Sequence, residues 1–240
     1  MNMSNHQKSR ILHENLGILI SAKETGDRLP SEPILAKELG VSRATLREAM
    51  RTFEIQGMIR RRQGSGTYVT RPTQKLQSGL EVLESIQTVA NRLGLQVRLG
   101  KWRAIRRPPQ DDERLTLGLE PGESVLDVRR VIIAEDRPAA FLIDVLPLDV
   151  LTPEDLEDGF TGSVLDILLL RGTPSLHVSR TDINAVTASE EVARSLGIQR
   201  GDALLCFYAD LYTTSGEIVD HSYSYFLPGY FDFHVVRQVG

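Results

Sequence analysis

Three arginines, Arg43, Arg47 and Arg51, recur every four residues in "LGVSRATLREAMR", directly after a short Gly-Val-Ser turn. Three more, Arg60, Arg61 and Arg62, stand beside the Gly-rich stretch "QGSG". A guanidinium pairs bidentately with phosphate, and small turn residues let backbone approach a groove closely. Helical spacing alone leaves two readings of the first set: an amphipathic helix with a solvated charged face, or a helix that enters a DNA groove. The second set is equally a solvated basic hairpin or a wing that touches phosphates.

The elements that must position these residues are legible around them. Ser42 caps a helix whose buried side is Leu46, Ala49, Met50 and Phe53, with Ala44, Arg47, Glu48 and Arg51 opposite. Arg43 and Thr45 flank its N-terminal end, where a recognition helix meets base edges and phosphates. A preceding helix starts after Ser31, turns Ile34, Leu35 and Leu39 inward and ends at Gly40 in a left-handed conformation. Pro33 is tolerated there because a first-turn amide has no helical partner to lose. The two helices joined by "GVS" have a helix-turn-helix layout. Upstream, Ile11, Leu12, Leu16, Leu19 and Ile20 predict a first helix over 11–22, ended by Gly26 and Pro30. Downstream, "MIRRRQGSGTYVT" reads as two short strands with Gln63, Gly64, Ser65 and Gly66 at the hairpin tip.

Composition fits this layout. A chain of 240 residues suits two domains of ordinary size. Residues 1–72 carry 12 Lys and Arg against 7 Asp and Glu, whereas the rest carries 16 against 25, so a basic module precedes an acidic remainder. The single cysteine, Cys206, excludes an intramolecular disulfide and a multi-cysteine metal site, and reads as a small buried hydrophobe. The first residues offer neither a signal-peptide apolar region nor a membrane span, which predicts a cytoplasmic protein without export or membrane insertion.

The run from "GDRLPSEP" to "QGSGTYV" resembles the winged helix-turn-helix domain of the GntR family of bacterial transcription regulators, through its "LPSE", "LGVSR.T.RE" and "QGSGTYV" blocks. The resemblance implies DNA contacts from Ser31, Arg43, Thr45 and Arg47, and from Gly64, Ser65, Gly66 and Thr67 of the wing. Ser42, Arg51, Arg61, Arg62 and Gln63 complete the DNA-binding candidates. The family usually has Arg where this chain has Pro33, so one backbone-contacting side chain is missing and the 60–62 cluster is the candidate to compensate.

The reading places a DNA-binding domain at 1–72, a linker at 73–78 and a second domain at 79–240. The second opens with an amphipathic helix over 79–94 presenting Leu80, Leu83, Ile86 and Leu93. Strand-like runs follow at 95–105, 124–134, 139–148, 175–186, 203–213, 217–227 and 231–239, with helical patterns at 111–119, 162–172 and 187–197. That order predicts an α+β domain on a largely antiparallel sheet. It resembles the UTRA effector-binding domain of the HutC branch, with its chorismate-lyase-like fold, through Arg130 with "AEDRPAAF" and through residues 187–226. The resemblance implies a homodimer that senses a small metabolite, often a sugar phosphate.

Two departures argue against a sugar phosphate here. Ile132 and Leu142 stand where such sensors usually carry a second Arg and an acid, and a phosphate dianion needs those donors and that charge. An acid survives at Asp220, and alternation along that strand sets Asp220, Ser222, Ser224 and Phe226 on one face with His221, Tyr223 and Tyr225 on the other. The effector-binding candidates are Arg130, Asp144, His177, Asp220, Ser222, Ser224 and Phe226. Arg130 reads equally well as a surface strand residue, and Tyr223, Tyr225, Tyr230, Phe231 and Phe233 as core or dimer interface. His177, His221 and His234 lack a metal-ligand spacing and Ser163 lacks a nucleophile elbow, so neither metal, cofactor nor catalytic residue is expected. The expected function is a ligand-responsive dimeric repressor on a near-palindromic operator. Its rivals are a DNA-binding protein with a ligand-blind assembly domain and a lyase-like enzyme.

Overall fold

The computed structural model describes residues 5–70, 76–157 and 159–239, residues 5–8 through their backbone. The chain divides into two compact units between residues 75 and 76, with Pro228–Tyr230 grouped with the first.

In the first unit, α1 (Asn5–Ser21), α2 (Glu32–Glu38) and α3 (Arg43–Ile55) precede the hairpin of β1 (Ile59–Arg62) and β2 (Gly66–Val69). The core is built from the apolar stripes of all five: Leu12, Leu16 and Ile20 of α1, Leu35 of α2, Leu46, Ala49, Met50 and Phe53 of α3, then Ile59 and Val69. Each fully buried Leu, Ile or Phe contributes about 1.5–3 kcal/mol. Ser42 caps α3, its Oγ accepting from the Thr45 amide at 3.1 Å. Ser31 sits at the N-cap of α2 without a side-chain cap bond, and Ile34, expected inward, is 54% exposed. The seven-residue α2 has room for one inward turn, and Leu35 and Ala36 fill it. Helix α1 begins before the expected residue 11.

The second unit is built on a fully antiparallel sheet in the order β4 (Val97–Arg107), β5 (Val125–Ala134), β6 (Arg137–Pro147), β9 (Ile218–Phe226), β8 (Ala203–Thr213) and β7 (Leu176–Thr187). The central β5 and β6 are apolar along most of their length because both faces are covered. On one face α6 (Val164–Arg171) and a short 3-10 helix (Pro153–Leu156) bury Leu156, Val164 and Leu168 against Leu126, Val128 and Leu146. Toward the other end of that face, Ile132, Ala140, Leu142 and Phe226 form a second apolar cluster with Phe207, Phe231 and Phe233. The α5 helix (Asp111–Thr116) and α7 (Glu190–Leu196) belong to the opposite face, where Arg107 holds Glu113 and Arg129 holds Glu191.

Three expectations fail in this unit. Residues 76–78, read as linker, form β3 (Leu76–Gly79), which pairs in parallel with β10 (Phe231–His234); residues 73–75 lie outside the described ones. The helix expected over 79–94 is only α4 (Ile86–Arg92): Ser85 Oγ accepts from the Thr88 amide at 3.0 Å and donates to Asp166 at 2.7 Å, fixing the start seven residues late. Leu80 and Leu83 therefore lie outside the helix, exposed. The last strand stops at His234, although the apolar pattern runs to residue 239.

Candidate nucleic-acid interface and effector site

The exposed face of α3 carries Arg43, Thr45, Arg47 and Glu48. The cap that starts the helix also fixes Thr45, whose hydroxyl lies 2.8 Å from Ser42 Oγ. Arg47 Nε donates to Glu32 Oε2 of α2 at 2.6 Å, and Arg51 Nη1 lies 3.7 Å from Glu48. Arg43, beside the positive end of the helix, has no ion-pair partner among the described residues, so its charge is available to a phosphate or a base edge.

The wing is less uniform than its sequence. Arg60 and Arg62 are exposed, and Arg62 lies over the Tyr68 ring at 5.1 Å. Arg61, read as a phosphate donor, is turned inward instead: Nη2 donates to the Arg47 carbonyl at 3.0 Å and Nε lies 3.5 Å from Glu54. It ties β1 to α3. Thr67 is buried with its carbonyl accepting from the Leu29 amide at 2.8 Å, because residues 26–29 run along the outer side of β2. Thr67 is thus covered, whereas Gln63, Gly64 and Ser65 remain exposed at the tip. Ser65 Oγ is 2.7 Å from the Tyr68 hydroxyl. Gly64 and Gly66 have φ of +74° and +121°, which only glycine adopts at little cost. A residue that sequence reasoning missed is Arg28: it is exposed, bridges to Tyr68, and its Nε would lie 2.6 Å from a Cβ at residue 66. Its signal was its place four residues before the α2 helix, inside a stretch read only as a helix stop.

In the second unit, strand registers place the acidic and basic candidates on one face. Val128 faces Asp144 and Asp144 faces Ser222, while Arg130 faces Leu142 and Leu142 faces Ser224. The result is a polar belt between the two apolar clusters of that face. Arg130, 5% exposed, donates from Nε to the Gly162 carbonyl and from Nη1 to Asp144, so it is a buried residue and not a surface one. Asp220 is also buried; the Val145 amide donates to it, its carboxyl shares a hydrogen bond with that of Asp144, and its Oδ1 meets no donor among the described residues. Burial and the neighbouring Asp144 charge, against the pull of Arg130, push the Asp220 carboxyl well above the usual carboxylate range. Ser222 is half-buried and donates weakly to the Ala209 carbonyl at 3.4 Å; Ser224 is half-buried beside Phe207.

Two candidates do not join the belt. His177 lies exposed at the bulge of the edge strand β7. Phe226 shares the face but is absorbed into the aromatic cluster, with ring centroids 4.8 Å from Phe231 and Phe233 and 5.0 Å from Phe207. Trp102, which sequence reasoning passed over, faces Arg130 from β4, is 40% exposed and packs edge-on against Phe160 at 5.0 Å. Cys206 is buried, and burial pushes its thiol up to about 11, as expected of an inert small hydrophobe. Among the described residues no group of three His, Cys, Asp or Glu could hold a metal, and no helix is long and apolar enough to cross a membrane.

Comparison with known proteins agrees with both units. The family of bacterial regulatory proteins, gntR family, matches residues 16–69, and the UTRA domain matches residues 93–232. The HTH-type transcriptional repressor NagR of Bacillus subtilis is 28% identical over 82% of this chain and 79% of its own length. The HTH-type transcriptional regulator Rv0792c of Mycobacterium tuberculosis is 31% identical over 80% of this chain and 71% of its own. The crystal structure of PhnF from Mycobacterium smegmatis superposes with a TM-score of 0.63 over 95% of this chain and all of that one, at 21% identity, which speaks for the fold. A winged helix-turn-helix followed by a UTRA domain makes this chain a member of the GntR family, HutC branch, and a ligand-responsive, DNA-binding transcription regulator.

Proposed function

We propose that the chain acts in the cytoplasm as a homodimeric repressor, which binds a near-palindromic operator and leaves it when a small effector other than a sugar phosphate enters the polar belt of the UTRA domain. The observation that carries the DNA half is the exposed start of α3, where Arg43, Thr45 and Arg47 project beside the wing arginines Arg60 and Arg62. Two such helices related by a two-fold axis reach successive major grooves about 34–36 Å apart. Repression is carried over from the relative that bears that name. The long edge strand β7, exposed along most of its length, supports assembly, because an unpaired edge is a liability unless it is covered.

The effector half rests on the buried polar belt. A domain that served assembly alone would have no reason to keep a carboxyl oxygen buried and unpaired, at about 1–3 kcal/mol. Ile132 and Leu142 are packed among Ala140 and Phe226, so the positions expected to serve a phosphate are apolar core. Turnover is not part of the reading: release requires only that the effector bind the DNA-free arrangement more tightly. Nuclease footprinting of the full chain on genomic fragments tests the proposal. The expected result is a protected two-fold-symmetric sequence, lost on adding the effector; equal affinity for all DNA overturns it. Micromolar calorimetric binding of glucosamine 6-phosphate overturns the exclusion of sugar phosphates.

A further inference from the structure

The belt holds two carboxyl groups against one guanidinium. Arg130 is already committed, through Nε to Gly162 and through Nη1 to Asp144, so its positive charge has a counter-ion within the domain. Asp220 is buried beside Asp144, shares a hydrogen bond with its carboxyl, and has an Oδ1 that meets no donor among the described residues. Arg130, shared with Asp144, is the cation that acts on it. On β8 its facing residue is the apolar Leu211. On α6, which shares the adjoining apolar cluster, Asp166 accepts from Ser85 and Arg171 pairs with Asp155 at 2.7 Å. Two like carboxylates in low dielectric do not both ionise unless a cation joins them.

This asymmetry selects the ligand. An anion entering the belt would have to take Arg130 from Asp144 and would leave two negative charges around one buried guanidinium. A cationic donor instead meets Oδ1 and takes the place of the Asp220 proton, so that the buried charges stay in balance. Ser222 and Ser224, next along the same face of β9, add hydroxyls that accept or donate to the rest of such a molecule.

We propose that the effector presents a cationic nitrogen group, of the guanidinium or ammonium class, to Asp220, and that its binding expels one proton from the Asp144–Asp220 pair to solvent. The proposal rests on the effector-binding reading of this domain. The carboxyl that holds the proton in the free protein is the one raised by burial and by Asp144, against Arg130. Its affinity for a permanent cation therefore rises with pH up to that raised value, with a slope approaching about one in log K per pH unit, and is flat above it.

Calorimetric titration of the full chain with methylguanidinium and with ethylammonium, each in two buffers of different protonation enthalpy, tests this. The expected result is binding that strengthens with pH and a buffer-dependent heat equal to about one proton released. Asp220→Asn keeps the shape and cannot ionise; it should bind either cation at least about ten-fold more weakly, without buffer dependence. Because the variant removes an unpaired buried acid, its melting temperature should not fall, and an unchanged melt certifies that the fold is intact. Failure of both cations to bind at millimolar concentration, cation binding that survives in Asp220→Asn, or binding of acetate or inorganic phosphate with proton uptake would each overturn the proposal. Operator affinity is measured separately by fluorescence anisotropy. If it responds to an anion alone, the regulator reading stands and the cation falls. If a cation binds with proton release but no small molecule moves operator affinity, the site stands and ligand-responsive release falls.

Discussion

Arg47 Nε donates to Glu32 Oε2 at 2.6 Å, while the Arg47 carbonyl accepts from Arg61 Nη2 at 3.0 Å, so one residue of α3 is engaged from α2 and from the wing. The ion pair with Glu32 is exposed on the arginine side, at 56%, and exposed pairs contribute only about 0–1 kcal/mol. A bidentate contact with a base edge contributes about 1–3 kcal/mol of discrimination, enough to draw this guanidinium from Glu32 if α3 enters a groove. Arg51, one turn further and half-buried, is placed for phosphate or solvent. Arg47→Ala should therefore erase most of the preference for operator over random DNA, whereas Arg51→Ala should weaken both alike and lower the salt slope by about one. Anisotropy titrations on both DNAs decide it. Equal losses of preference would mean that α3 approaches the groove differently.

Pro33 occupies the first turn of α2, exposed, where the family resemblance leads one to expect an arginine. Its ring cannot donate, and the inward-turned Arg61 does not replace it. Adding one phosphate contact steepens log K against log salt by about one unit. Pro33→Arg should show that steepening, with tighter binding at low salt; an unchanged slope means that the α2 start stays clear of phosphate.

How much of this was legible in the sequence follows from where local signals decide structure. The buried side of α3 and its Ser42 cap follow from helical period and cap chemistry, both local, and the structure has both. The face shared by Asp220, Ser222, Ser224 and Phe226 follows from strand alternation, equally local. What eluded the sequence depends on partners distant along the chain. The pairing of β3 with β10 joins residues more than 150 positions apart. Ser85 starts α4 with help from Asp166, and Arg61 turns inward because Glu54 and the Arg47 carbonyl await it. Thr67 looked like a wing contact until residues 26–29 were seen to cover it. Arg130 and Asp144 were separate candidates; only the register of β5 on β6 makes them a pair.

The tip of the wing depends on glycine at 66. Its φ of +121° strains any other residue, and a Cβ there would lie 2.6 Å from Arg28 Nε. Gly66→Ala should destabilise the first unit by about 1–3 kcal/mol and displace Arg28. Arg28→Ala instead removes one exposed charge and no core contact. It should leave the melting temperature unchanged and lower the salt slope of DNA binding by about one. Full retention of that slope would show that Arg28 serves the wing and not the DNA.

Asp127 and Asp220 make opposite forecasts for pH. Asp127 is wholly buried on the other face of the sheet, between Arg129, whose Nε and Nη2 donate at 2.7 and 2.8 Å, and Arg107, whose Nε donates at 2.7 Å. Burial pushes its carboxyl up, but the hydrogen bonds from Arg129 and Arg107 outweigh burial and hold it below the usual range. A depressed carboxylate contributes stability that is present above its unfolded pKa, about 3.9, and is lost as pH falls through the folded value. Asp127→Asn leaves the half-buried Arg107 and Arg129 with Glu113 and Glu191 as their remaining counter-ions and should cost about 1.5–3 kcal/mol at neutral pH, with the gap to the parent narrowing in acid. For Asp220 the folded value is raised, so the folded state holds the extra proton and the parent loses stability as pH climbs from the ordinary carboxylate value to the raised one. Asp220→Asn should therefore gain on the parent across that window and keep the gain above it. Urea unfolding of the three proteins from about pH 2 to pH 8 checks both signs; difference curves that move in the same direction would mean that one of the two carboxyl environments has been misassigned.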